Sequence, residues 1–316
     1  MHPPLSVVGF TVLSGAGYGF IALFIIATML GLGGPVHAGE LKAAGVLGFL
    51  LITVGLLLST GHLANPRNAW RAFSRFRSSW LSREAVLALL FYPVAGLYVL
   101  GLLLGDGLTH GPLTGLFGVL TIMLALGTVL ATGMIYACLP TIRAWNSSLT
   151  PINYLLMGLA LGSVLLVVVR GANGADLVPV TGVALLMLIL AGLGKQLHYH
   201  WQQGQAHRGP GLASATGLHT GHIRLLDPGH SCGTFQTEEF VHHTTDDRIE
   251  VLRRMVLTVG FLVPAILLLA VATTGQALWL AGLALVIGFC GLLLERWLFF
   301  AEARHTVRHY NARVPG

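Results

Sequence analysis

LTGLFGVLTIMLALGTVLATGMIYACL, from Leu113 to Leu139, contains no charged residue. It exceeds the roughly 20 apolar residues a helix needs to cross a hydrocarbon core about 30 Å thick. Similar runs recur at Leu5–Leu32, Ala43–Leu63, Ala85–Gly105, Ile152–Val169, Val178–Leu197, Met255–Thr273 and Ala277–Phe300. None shows the apolar/polar alternation of a barrel strand, and in lipid only helices and closed barrels satisfy every backbone group. The pattern predicts an all-α polytopic membrane protein with eight transmembrane helices in two four-helix bundles. Composition agrees: 54% of the 316 residues are hydrophobic and 9% charged, against roughly a quarter charged in a soluble domain.

The formal charge of +6 is a topology signal. Sixteen of the eighteen basic residues fall in one alternating set of connections, and only Lys42 and Arg170 in the other. Lys and Arg favour cytoplasmic loops, so both termini are expected in the cytoplasm and the protein in a bacterial cytoplasmic membrane. No basic stripe with interleaved aromatics lies outside the loops, which argues against nucleic acid. Met1-His2-Pro3-Pro4 lacks the cationic start of a signal peptide, and the first run reads as a retained helix.

Cys138, Cys232 and Cys290 stand far apart without a C-x-x-C spacing, so no iron–sulfur cluster is expected in this protein. No haem is expected either, because of the fourteen histidines only His62 and His198 lie even at span ends. His219-x-x-His222, His230-x-Cys232 and His242-His243 match no standard zinc spacing. The glycines of Gly15-Ala16-Gly17-Tyr18-Gly19, with Gly45, Gly48, Gly158 and Gly162, suit close helix packing.

Ionisable groups inside a membrane cost roughly 2.5–3.5 kcal/mol each, and the span middles are almost free of them. His62 at the end of span two, Glu84 at the start of span three and Tyr136 at the end of span four fall at one level, on the cytoplasmic side. Two-electron quinone chemistry is coupled to two protons, so a site needs donors to the carbonyl oxygens and a carboxylate or imidazole to exchange protons. His62 and Tyr136 could hold the two oxygens and Glu84 relay protons. Helix-end partners and belt residues would look the same. Glu295, Arg296, Glu302 and Arg304 read as a solvated helix end, and Arg170 as a side chain snorkelling outward. Between spans two and three, Trp70, Phe73, Phe76 and Trp80 alternate with arginines as at a headgroup interface. Tyr199 to Glu250 is a long polar connection.

His62-Leu63-Ala64-Asn65-Pro66-Arg67-Asn68-Ala69-Trp70, followed by Trp80-Leu81-Ser82-Arg83-Glu84, resembles the membrane anchor subunit of the dimethyl sulfoxide reductase family. In that family a histidine after span two and a glutamate opening span three are tied to menaquinol binding. Tyr136 through Trp145 to Thr150-Pro151 also looks like the family's connection between spans four and five. Met1-His2-Pro3 with Ser14 to Gly19 looks like a branch associated with cytoplasmic sulfite-oxidising complexes. Here Leu63-Ala64-Asn65 stands where the family usually has Leu-Gly and a small residue, and the long loop is absent from the short reductase anchors.

The resemblance implies a quinone (menaquinone or ubiquinone), a ferredoxin-like iron–sulfur subunit and a molybdopterin catalytic subunit. The spans and the long connection divide the sequence into residues 1–140, a first bundle expected to hold the quinone site; 141–198, helices five and six; 199–250, a cytoplasmic loop expected to serve partner docking; and 251–316, helices seven and eight with a tail. Arg67, Arg71, Phe235, Glu238 and Arg304 are the docking candidates. Two other readings compete: a secondary transporter, hinted at by Pro93 and Pro264 inside spans, and a purely structural anchor without a quinone site.

Overall fold

A computed structural model of the protein describes residues 4–61, 66–104, 111–206, 246–274 and 278–306. The helices are α1 Leu5–Leu30, α2 Ala38–Thr60, α3 Trp80–Leu104, α4 Pro112–Ala137, α5 Leu149–Ala172, α6 Leu177–Ala206, α7 Asp246–Leu257, α8 Val263–Thr274 and α9 Leu278–Ala301. A π-helical turn, Thr258–Leu262, joins α7 to α8 in one continuous span. Eight spans are therefore long and apolar enough to cross a membrane, and no strand occurs among the described residues. The molecule is a multi-pass membrane protein.

α1 is buried along nearly its whole length and α5 along most of it, whereas the other spans bury about a third. These two helices form the axis: α1 packs on α2, α4, α5 and α9, and α5 on α4, α6 and α9. Glycine permits the crossing. A Cβ on Gly19 would stand 2.2 Å from the Gly158 carbonyl oxygen, and one on Gly162 2.3 Å from Phe20 N. Lipid is as apolar as leucine, so close backbone packing has to supply the association. α9 meets the π turn in the same way, since a Cβ on Gly291 would lie 2.3 Å from Gly260 Cα. The π turn comes just before Pro264, which has no N–H to continue the helical ladder.

Two helices differ from the sequence reading at their ends. α6 continues nine residues past Leu197, to Ala206, and α7 begins at Asp246, nine residues ahead of Met255. In the α6 extension His198, Tyr199 and Gln202 are buried, whereas in the α7 extension Asp247, Arg248, Glu250 and Arg254 are exposed. A short 3₁₀ helix, Pro66–Arg75, precedes α3, with Trp70, Phe73 and Phe76 exposed beside exposed Arg67 and Arg71. Arg83 fixes the following turn by donating to the carbonyls of Phe76 (3.1 Å) and Arg77 (2.9 Å).

Arg170 does not snorkel. It is 1% exposed, pairs with Glu40 at 3.0 Å and donates to the carbonyls of Leu32 (2.8 Å) and Gly34 (2.7 Å). The α1–α2 loop folds back over it, with Asp176 N bonded to Gly33 O at 3.1 Å. Glycine is required at position 33, where φ is +82° and a Cβ would press on the guanidinium at 2.9 Å. The buried carboxylate of Glu40 supplies the reason that the arginine stays inside.

Candidate functional site

α3 begins where α4 ends, which sets Glu84 against the last turns of α4. Glu84 is 6% exposed and accepts a hydrogen bond from Thr132 Oγ1, which also lies 3.0 Å from Thr128 O. Tyr136 lies one turn beyond Thr132 on the same face of α4 and is half-buried. Tyr18, from the glycine-rich part of α1, is buried edge-on against Phe91 of α3, 5.0 Å between centroids. Glu84, at the start of α3, and Tyr136, at the end of α4, lie on the same face of the bundle. His62, Phe235 and Glu238 lie outside the described residues.

An aromatic cluster holds Tyr136 in place. Its ring stacks on Tyr154 (centroids 5.7 Å apart, planes 19°) and meets Trp145, Phe299 and Phe300 edge-on. Trp145 Nε1 donates to Phe299 O at 2.9 Å. Thr306 N bonds Thr141 O at 3.0 Å, tying the segment after α9 to the α4–α5 connection. All these contacts lie on the face of the bundle at which α1 begins. They bind α4, α5 and α9 together at the level of Glu84.

The acidic and basic residues of α9 are not a solvated helix end. Glu295 is 0% and Arg296 3% exposed, and Glu295 is bonded to Lys195 Nζ at 2.5 Å and Arg296 Nε at 2.7 Å. Lys195, which its charge would place in a loop, sits inside α6. Glu302 pairs with Arg253 at 2.7 Å, whereas Arg304 is exposed on this face. The physical reason is that α5, α6 and α7 cover this end of α9. One signal in the sequence points there: Trp297-Leu298-Phe299-Phe300 follows the charges, and a helix leaving the membrane would not resume an apolar run. No group of three His, Cys, Asp or Glu side chains converges on a metal-sized site among the described residues.

Between α2 and α3, away from this level, an apolar crevice is floored by Phe20 and Phe24 of α1 and walled by Leu41, Phe49, Ala95 and Tyr98. Thr53 and Tyr92 bridge α2 and α3 by a 2.8 Å hydrogen bond between hydroxyls.

The sequence matches the family model "DMSO reductase anchor subunit (DmsC)" over residues 1–301. It is 34% identical to the C subunit of the sulfite dehydrogenase of Allochromatium vinosum, the alignment covering 99% of this protein and 100% of that one. It is 26% identical to the C component of the polysulfide reductase of Wolinella succinogenes, over 51% of this protein and 55% of that one. Eight apolar spans and a family match over nearly the full length agree that the protein belongs to the DMSO reductase anchor subunit family and is a membrane anchor subunit of a molybdoenzyme complex.

Proposed function

We propose that this anchor exchanges electrons between the membrane quinone pool and an iron–sulfur partner, with the headgroup held at the level of His62, Glu84 and Tyr136. The supporting observation is the pairing of Glu84 with Thr132 one turn from Tyr136, at the N-terminal face. A quinone requires hydrogen-bond donors at its oxygens and a group that exchanges protons. The Tyr136 hydroxyl and the Glu84 carboxylate fit that chemistry. When bound, the quinone supplies a two-electron, two-proton acceptor or donor.

The protein's own residues then have distinct tasks. Thr132 orients Glu84 by bonding one carboxylate oxygen, which leaves the other to exchange protons. Tyr154, Trp145 and Phe299 fix the Tyr136 ring, so that its hydroxyl meets a carbonyl oxygen without first losing rotamer freedom. His62, just beyond the end of α2, holds the second oxygen. The surrounding apolar side chains exclude water and strengthen each bond.

The N-terminal face is cytoplasmic in this reading, both termini lie inside, and the protein resides in the bacterial cytoplasmic membrane. The first four helices form the quinone bundle. A ferredoxin-like subunit docks on the same face, at Arg67, Arg71, Arg304 and the segment carrying Phe235 and Glu238, and a molybdopterin subunit docks above it. Greater identity and coverage toward a sulfite dehydrogenase component than toward a polysulfide reductase component favour the sulfite-oxidising direction, in which quinone is reduced. Fluorescence-quench titration of a quinol-analogue inhibitor into membranes carrying the assembled complex tests the site. His62→Ala and Glu84→Gln should each weaken binding about tenfold or more, the loss of one buried hydrogen bond to a charged group. Wild-type affinity in both would leave a purely structural anchor.

A further inference from the structure

α2 packs on α1 and α3 on α4, while α2 and α3 touch each other sparsely. The apolar crevice between them is the space this leaves, with about 340 Å³ unfilled, its open mouth included. Glycine keeps it open. A Cβ on Gly45, in the crevice wall, would meet nothing within 4 Å, whereas one on Gly48 would strike Ile21 at 2.5 Å. Gly48 therefore serves the α1–α2 crossing, and Gly45 leaves a hollow. Protein interiors are close-packed, and an apolar hollow that opens toward the bilayer is filled by hydrocarbon in place of water.

The crevice has a depth and a closed end. Ala95 is eleven residues beyond Glu84, about 16 Å along α3, so the crevice lies in the half of the membrane opposite the N-terminal face. Toward that face it is shut: Phe49 stacks on Tyr92 (centroids 5.7 Å apart, planes 18°), and Thr53, one turn further on, bonds the Tyr92 hydroxyl at 2.8 Å. A chain enters it from the opposite leaflet, and the tail of a headgroup at Glu84 meets this barrier first. One charge marks the entrance. Lys42 is exposed, three residues before Gly45 and seven before Phe49, so the three share one stripe of α2. Arg170, the other basic residue at that end, is buried against Glu40. Lys42 is thus the one exposed Lys or Arg at that end among the described residues. A lysine so placed lays its stem on apolar surface and keeps its ammonium among the headgroups.

We propose that the crevice binds one acyl chain of an anionic phospholipid from the leaflet opposite the N-terminal face, with the lipid phosphate held by Lys42. The chain occupies the place that Gly45 leaves empty and completes the contact between α2 and α3. A zwitterionic lipid offers the same chain under a headgroup of no net charge, so the lysine supplies the selectivity. None of this depends on whether a quinone binds at Glu84.

The test places the assembled complex in lipid nanodiscs with a trace of phosphatidylglycerol or of phosphatidylcholine, each carrying a diazirine in its acyl chain, and maps the label by peptide mass spectrometry. Label should concentrate on α2 and α3 around Leu41, Phe49 and Val99. The phosphatidylglycerol probe should label there about fivefold more than the phosphatidylcholine probe, the worth of one basic residue at an anionic headgroup. Lys42→Gln, at an exposed position, should bring the two probes to equal labelling. Gly45→Leu, whose side chain enters the crevice, should abolish labelling by both while exposed Val286 of α9 is labelled as in wild type. Label spread evenly over the exposed apolar residues of all spans, equal labelling by both probes in wild type, or wild-type labelling in Gly45→Leu overturns the proposal. If Gly45→Leu does not assemble, a preference for phosphatidylglycerol that survives in Lys42→Gln is enough to overturn it. Suppression by a long-tailed isoprenoid quinone at lower concentration than by unlabelled phosphatidylglycerol also overturns it, because the crevice then holds the quinone tail.

Discussion

Replacing Arg170 by Met removes the cation from a site where everything around it depends on its charge. Glu40, 1% exposed and 3.0 Å from the guanidinium, is left as an unpaired buried carboxylate, and the carbonyls of Leu32 and Gly34 lose their donors. Breaking a buried pair from one side costs about 3–5 kcal/mol, and each abandoned carbonyl adds about 1 kcal/mol or more. The carbonyls are only partly buried and water re-solvates them, so the carboxylate dominates and the total stays near about 4 kcal/mol. Titrating SDS into the detergent-solubilised protein, with loss of far-ultraviolet helicity as the signal, reads this difference. Arg170→Met/Glu40→Gln should recover a large part of it, because a neutral amide leaves no charge stranded, and the coupling in the cycle should exceed about 2 kcal/mol. A single variant within about 1 kcal/mol of wild type, or negligible coupling, would mean that Arg170 reaches the headgroups after all.

Other consequences follow from the same contacts. Gly158→Leu should destabilise the protein by at least about 1–3 kcal/mol in the same titration, because α1 and α5 must separate where the Gly15 and Gly19 backbones now touch position 158. Thr132→Val should weaken quinol-analogue binding about threefold to tenfold without changing the yield of complex, since it frees Glu84 without moving the helices. In a Cys232→Ser background a membrane-impermeant maleimide should label exposed Cys138 in inside-out vesicles and not in right-side-out ones. Cys290, exposed at the middle of α9 where lipid surrounds it, should react only with a lipophilic reagent.

The spans were legible in the sequence because each is a long apolar run without the alternation of a barrel strand, and in lipid such a run satisfies its backbone only as a helix. Glu84 and Tyr136 were legible because alternation of direction places the start of one span and the end of the next on one face. The Lys195–Glu295–Arg296 cluster was not. Its lysine and carboxylate lie 100 positions apart, and Glu295-Arg296 near a terminal run looks like a helix entering solvent. Burial came from α5, α6 and α7 folding over it, which no local pattern states. The same holds for Arg170, whose partner Glu40 sits 130 residues away, at the start of α2 in a stretch the apolar run left out. The close α1–α5 crossing was half visible: glycine clusters marked both helices as packing surfaces, while only the fold shows that they pack on each other.

Photolabelling with an azido-quinone in membranes containing the assembled complex tests the central claim most directly. The headgroup label should map to the start of α3 around Glu84 and the end of α4 around Tyr136, and excess unlabelled quinone should suppress it. Label confined to the crevice between α2 and α3 around Leu41, Phe49 and Ala95, or spread evenly over lipid-facing residues, would contradict a headgroup site at the N-terminal face.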